Sequence, residues 1–91
     1  MQNEISKKLL ELNFDPGYKG FFFLVEVLTY KKEMQISSLN DIYEELARKH
    51  QTSPAAIARN LKTCIAKSDN EYNYKTVNEV VSLLSVILWW Q

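Results

Sequence analysis

An all-α fold, a compact bundle of about five helices containing a helix-turn-helix, is predicted by three observations. Apolar residues recur at i, i+3, i+4 and i+7 over most of the chain. Ser38, Ser53 and Thr76 stand where helix N-caps are needed. Only two Gly and two Pro leave little punctuation for the many turns of a β fold.

The elements follow in order. The first helix is expected over roughly residues 4–12, with Asn3 as N-cap and Ile5, Leu9 and Leu12 inward. The stretch "NFDPGYKG" ends it, because Pro16 and Gly17 favour a turn. The second covers roughly residues 18–34. Phe21, Leu24, Val25 and Leu28 form one stripe, and Phe23, Val27, Tyr30 and Met34 a second. Two apolar faces mark a central helix. Propensity alone would allow "FFFLVEVLTY" to be a strand, but helical spacing runs through Met34.

The third helix starts at "SSLND", where Ser38 and Asp41 resemble a capping box with a shorter acid. Leu39, Ile42, Tyr43, Leu46 and Ala47 form its stripe. The fourth starts at "TSPAAI", with Ser53 as cap and Pro54 at the first helical position, where a missing N–H is harmless. Ile57, Leu61, Cys64 and Ile65 face inward, and the helix is expected to fray by "SDNEYN". The fifth opens with a capping box between Thr76 and Glu79 and turns Val77, Val80, Val81, Leu84, Ile87 and Leu88 inward.

The length of 91 residues suits a single domain, 1–91, and the 46% hydrophobic content supports a modest core. A single cysteine excludes an internal disulfide and fits a reducing, cytoplasmic setting. The first residues lack the apolar run of a signal peptide. The longest apolar stretch is shorter than the ~20 residues a membrane span needs. Catalysis and metal binding have no support. His50 is the only histidine and is read as a cap for helix-end carbonyls, and Cys64 as a small core residue. No Cys/His set has ligand spacing and no Gly-rich phosphate loop occurs. The expectation is a non-enzyme with no cofactor and no small-molecule substrate.

Net charge is zero, but it is segregated. Residues 46–68 carry Arg48, Lys49, Arg59, Lys62 and Lys67 and no acid, a net of +5; the remainder holds six basic and eleven acidic residues, a net of −5. The third helix, a turn of about four residues ("HQTS") and the fourth helix have helix-turn-helix dimensions, about residues 38–67. In that motif the second helix enters the major groove. With the apolar stripe inward, Ala55, Ala56, Arg59, Thr63 and Ala66 point outward, flanked by Asn60, Lys62 and Lys67. Arg59 can pair with guanine and Asn60 with adenine. Lys62, Lys67, Arg48 and Lys49 suit phosphates, as do Thr52 and Ser53 at a helix N-terminus. The same pattern also describes two ordinary helices of a bundle with a solvated outer face.

At "NFDPGYKGFFFLVEVLTY" and "IYEELARKHQTSPAAIARNLKTCI" the chain resembles a known family. It is the C-terminal DNA-binding domain of the master response regulator of sporulation initiation in spore-forming Firmicutes. Lys19-Gly20-Phe21 match the family's opening of a long helix. Tyr43, Ala47, Lys49, Thr52, Ile57, Arg59, Leu61 and Ile65 match its helix-turn-helix, and "TVNE" resembles the start of its last helix. The resemblance spans most of residues 5–88. It implies a compact all-α transcription factor that binds short promoter boxes, often as tandem dimers, with Arg59 and Lys62 as the strongest DNA contacts. Three departures stand out. Ala56 and Ala58 replace a charged Arg and Glu, Thr63 replaces a common histidine, and the segment before the last helix is short. The family regulator also carries a receiver domain, which this chain lacks, as an excised domain or a stand-alone relative would.

The C-terminal "VVSLLSVILWWQ" is more apolar than one buried stripe requires. Either the helix is buried on two sides, or Leu83, Val86, Trp89 and Trp90 form a homodimer interface, with Trp89 or Trp90 at its centre, that places two recognition helices on one DNA. Two readings follow. One is a sequence-specific double-stranded-DNA-binding transcriptional regulator. The other is a protein-interaction or inhibitory module that kept the fold and lost DNA reading.

Overall fold

A computed structural model describes residues 2–33 and 38–89. Its helices are α1 (Gln2–Glu11), α2 (Lys19–Glu33), α3 (Leu39–Lys49), α4 (Pro54–Ala66) and α5 (Val77–Trp89), and no strand occurs among the described residues. Met34, the last residue of the second predicted stripe, lies outside them, as does Trp90. α1 already includes residue 3, so Asn3 is not its cap.

The starts of the last three helices are set by their caps. The Ser38 hydroxyl accepts from the Asp41 N–H at 3.2 Å. The Ser53 hydroxyl accepts from the Ala56 N–H at 3.1 Å, with Pro54 opening the helix behind it. Thr76 and Glu79 close a reciprocal capping box, N–H to carboxylate at 3.1 Å and N–H to hydroxyl at 3.2 Å. The backbone N–H and hydroxyl of Thr76 together hold the exposed Glu79 carboxyl below its usual range.

The ends of α1 and α3 share one geometry. Asn13 and Gln51 both take a left-handed conformation, φ 66° and 55°. The next N–H reaches back over the last turn, Phe14 to the Leu9 carbonyl at 3.0 Å and Thr52 to the Ala47 carbonyl at 2.9 Å. This is the Schellman stop, which usually employs Gly. Asn tolerates it well; Gln51 does so at some strain.

α2 is the central element and packs against each of the other four helices. Both of its apolar faces are covered: Phe21, Leu24, Val25, Val27 and Leu28 are buried, with Phe23 and Tyr30 half-buried. Its crossing with α4 is close because Gly20 has no side chain. A Cβ there would stand 2.1 Å from the Asn60 carbonyl oxygen and 2.7 Å from the Cys64 Cβ. Ile57, Leu61, Cys64 and Ile65 form the inward face of α4, and Val80, Val81 and Leu84 that of α5, as their spacing predicts.

α4 has ended by "SDNEYN" as expected, its last residue being Ala66, but the segment beyond is not loose. The segment 68–75 is fastened to the end of α1. Asn70 donates its side-chain amide to the Leu12 carbonyl at 2.7 Å, and the Asp69 N–H bonds the Asn13 carbonyl at 3.2 Å. Tyr72 is buried with its ring stacked on Phe14 at 6.0 Å. This connection braces the far end of α4.

Candidate nucleic-acid interface

α3 and α4 meet at a four-residue turn, His50-Gln51-Thr52-Ser53. α3 contributes Ile42, Tyr43, Leu46 and Ala47 to the core, all buried. With both inward faces fixed, the outer face of α4 is determined by helical spacing. Ala55, Arg59, Lys62, Thr63 and Ala66 are exposed on it, as expected, and Lys67 is the exposed C-cap residue. Arg59, Lys62 and Lys67 form no ion pair among the described residues. α4 has no acid in its first turn. Pro54 has no N–H and the Ala56 N–H is taken by Ser53, which leaves the Ala55 N–H as the first-turn donor for an anion.

Other predicted contacts are placed differently. Asn60 is half-buried, and its side-chain amide donates to the Ala56 carbonyl at 2.9 Å, so its donor is turned onto its own helix. Ala58 packs against the core and Ala56 is half-buried, so neither lies wholly on an outward face. Arg48 is bonded to Glu45 at 2.9 Å. The Lys49 ammonium donates to the Glu26 carboxylate at 2.7 Å, which holds its pKa above the usual lysine value. Thr52 is exposed beside these groups at the turn.

His50 does not cap with its ring. Its backbone N–H bonds the carbonyls of α3's last turn, while Nε2 lies 2.7 Å from the other Glu26 oxygen. The ring is packed edge-on against Phe23, centroids 5.2 Å apart. Glu26 therefore clamps Lys49 and His50 together. Its side chain is only 13% exposed, well inside the rim of the site. Sequence reasoning missed it, although a lone acid inside the apolar run "FFFLVEVLTY" was the available signal.

Cys64 is buried, and burial pushes its thiol up to about 11, the setting of an inert core residue. Among the described residues no helix is long and apolar enough to cross a membrane.

Of the residues predicted at a dimer interface, Leu83 and Val86 are 40% and 55% exposed on α5. Trp89 is instead half-buried against the core, with the Lys32 ammonium 5.6 Å above its ring.

A five-helix arrangement with a tight α3–α4 pair, capped at both starts and cationic on its outer face, defines a helix-turn-helix domain of the DNA-binding type. The family model described as sporulation initiation factor Spo0A C terminal matches residues 5–85, and the chain belongs to that family. It is a family of DNA-binding effector domains of the sporulation regulator. No curated protein and no solved structure matched the chain.

Proposed function

We propose that the chain is a sequence-specific double-stranded-DNA-binding transcriptional regulator that inserts α4 into the major groove. The observation that carries this reading is the outer face of α4. It presents three cations that meet no carboxylate among the described residues, on and just past the second helix of the helix-turn-helix. Arg59 is the base reader, with its forked donors matched to guanine. Lys62, Lys67 and the Ala55 N–H contact phosphates, and Thr63 extends the reading face. Thr52 and Ser53 lie where the backbone passes the turn. Arg48, Lys49 and Asn60 contribute less, because each is already bonded within the protein.

With one strong reader per chain, specificity is completed by a second copy. The exposed Leu83 and Val86 on α5 supply the apolar contact of that homodimer. Sedimentation at tens of micromolar tests it: a dimer is expected, and Leu83→Lys gives a monomer. A monomeric wild type rules this part out.

A second reading is a protein-interaction module that kept the fold. The small Ala55 and Ala56 at the reading end of α4 favour it, because they leave no side chain to reach a base. Duplexes selected from a randomised library separate the two, by fluorescence anisotropy across a salt series. A DNA binder weakens steeply with salt, by about 0.9 in log–log slope per phosphate contact. Arg59→Ala narrows the gap between selected and random duplex by about 1–3 kcal/mol. Absence of binding at low salt favours the interaction module.

A further inference from the structure

A cleft of about 330 Å³ lies outside the α3–α4 pair proper, where the start of α2 meets the turn. It is lined by Lys19, Phe22 and Phe23 of α2, His50 and Thr52 of the turn, and Asn60 of α4. Lys19 forms no ion pair among the described residues, and the first turn of α2 holds no acid. Phe22 is 57% exposed, an unusual position for a large aromatic side chain.

His50 is held on two sides, by Glu26 at Nε2 and by the edge of Phe23. With Nε2 engaged by Glu26, Nδ1 is the ring nitrogen left to meet a ligand. The cleft thus combines an ammonium, an imidazole nitrogen and a hydroxyl against aromatic walls. That donor set suits a singly charged phosphodiester, which accepts several hydrogen bonds and has apolar sugar beside it.

The geometry points to a phosphate seat in this cleft: one backbone phosphate of bound duplex DNA rests among Lys19, His50 and Thr52, with its sugar against Phe22. The footprint then extends from the helix-turn-helix onto α2, and Glu26 acts as the positioning residue that fixes the His50 ring. This rests on the DNA-binding reading, because the cleft opens beside the turn and the N-terminal half of α4. The phosphate seat carries no sequence information; it fixes how deeply and at what angle α4 sits.

The test uses the full chain and Lys19→Ala, which removes no bond seen within the fold. Expected is a log–log salt slope smaller in magnitude by about 0.9, with selected and random duplex weakened by the same factor. In the wild type, NMR signals of the His50 ring and the Thr52 amide shift on adding duplex. If Lys19→Ala binds like wild type while Lys62→Ala is weakened, the seat is wrong and the DNA reading stands. If the wild type binds no duplex, both fail. Inorganic phosphate is the control for a free anion. Shifts with inorganic phosphate but none with duplex would overturn assignment of the seat to the DNA backbone.

Discussion

Two groups of cations lie within one helix-turn-helix, and they differ in what they are free to do. At the end of α3, Arg48 and Lys49 are bonded to Glu45 and Glu26 at 2.9 and 2.7 Å. On α4, Arg59, Lys62 and Lys67 meet no carboxylate among the described residues. Both groups look alike as charge in a sequence. In three dimensions Lys49 ties the end of α3 to α2, Arg48 is paired within α3 itself, and the second group is exposed. A cation already paired must share or give up that bond to reach a phosphate, so its gain on binding is smaller. Charge count thus overstates the binding surface, and pairing corrects it.

The largest expected effect breaks the frame that both groups depend on. Gly20→Ala drives a Cβ into the Asn60 carbonyl oxygen, a backbone atom that cannot rotate away. A loss of about 3 kcal/mol, the upper part of the usual cost of overpacking, is expected in urea denaturation. Wild-type stability would show that α2 and α4 can separate freely.

Next is Arg59→Ala, with its loss of about 1–3 kcal/mol in discrimination between selected and random duplex. Arg48→Ala, on the paired side, leaves that discrimination unchanged.

A smaller effect belongs to the paired cations and reads out as stability against pH. The Lys49 ammonium is held above its ordinary value by its hydrogen bond to Glu26, and burial raises the Cys64 thiol from near 9.0 to about 11. Each group binds its proton more tightly in the folded chain than in the unfolded one. The stability each contributes is full below its unfolded pKa and is lost as pH rises through its folded one. Denaturation midpoints are therefore expected to fall as pH rises above about 9, the ordinary thiol value. Lys49→Ala makes the alkaline part of that fall shallower. An equally steep fall in Lys49→Ala and wild type would contradict the linkage.

Much of this architecture was legible because it is local. Caps at Ser38, Ser53 and Thr76 act within three residues, and the inward stripes of α3, α4 and α5 follow helical spacing. The outward placement of Arg59 and Lys62 follows from the same spacing. What was not legible depends on distant partners. Glu26 reaches residues 23 and 24 positions away, which no periodicity reveals. How the segment after α4 is held is equally hidden, since Asn70 is bonded to Leu12, 58 positions back. Asn60 lies near the reading face by angle, but close approach of Gly20 and α2 leaves it half-buried, bonded to Ala56. Trp89 is half-buried against the core beneath the Lys32 ammonium, a placement that no spacing reveals.

Whether the exposed cations of α4 form the DNA surface is tested most directly by the salt slope of duplex binding in Lys62→Ala beside Lys49→Ala. Lys62→Ala is expected to reduce the slope by about 0.9 and Lys49→Ala to reduce it by clearly less. A larger loss in Lys49→Ala, or the same slope in both variants as in wild type, would contradict it.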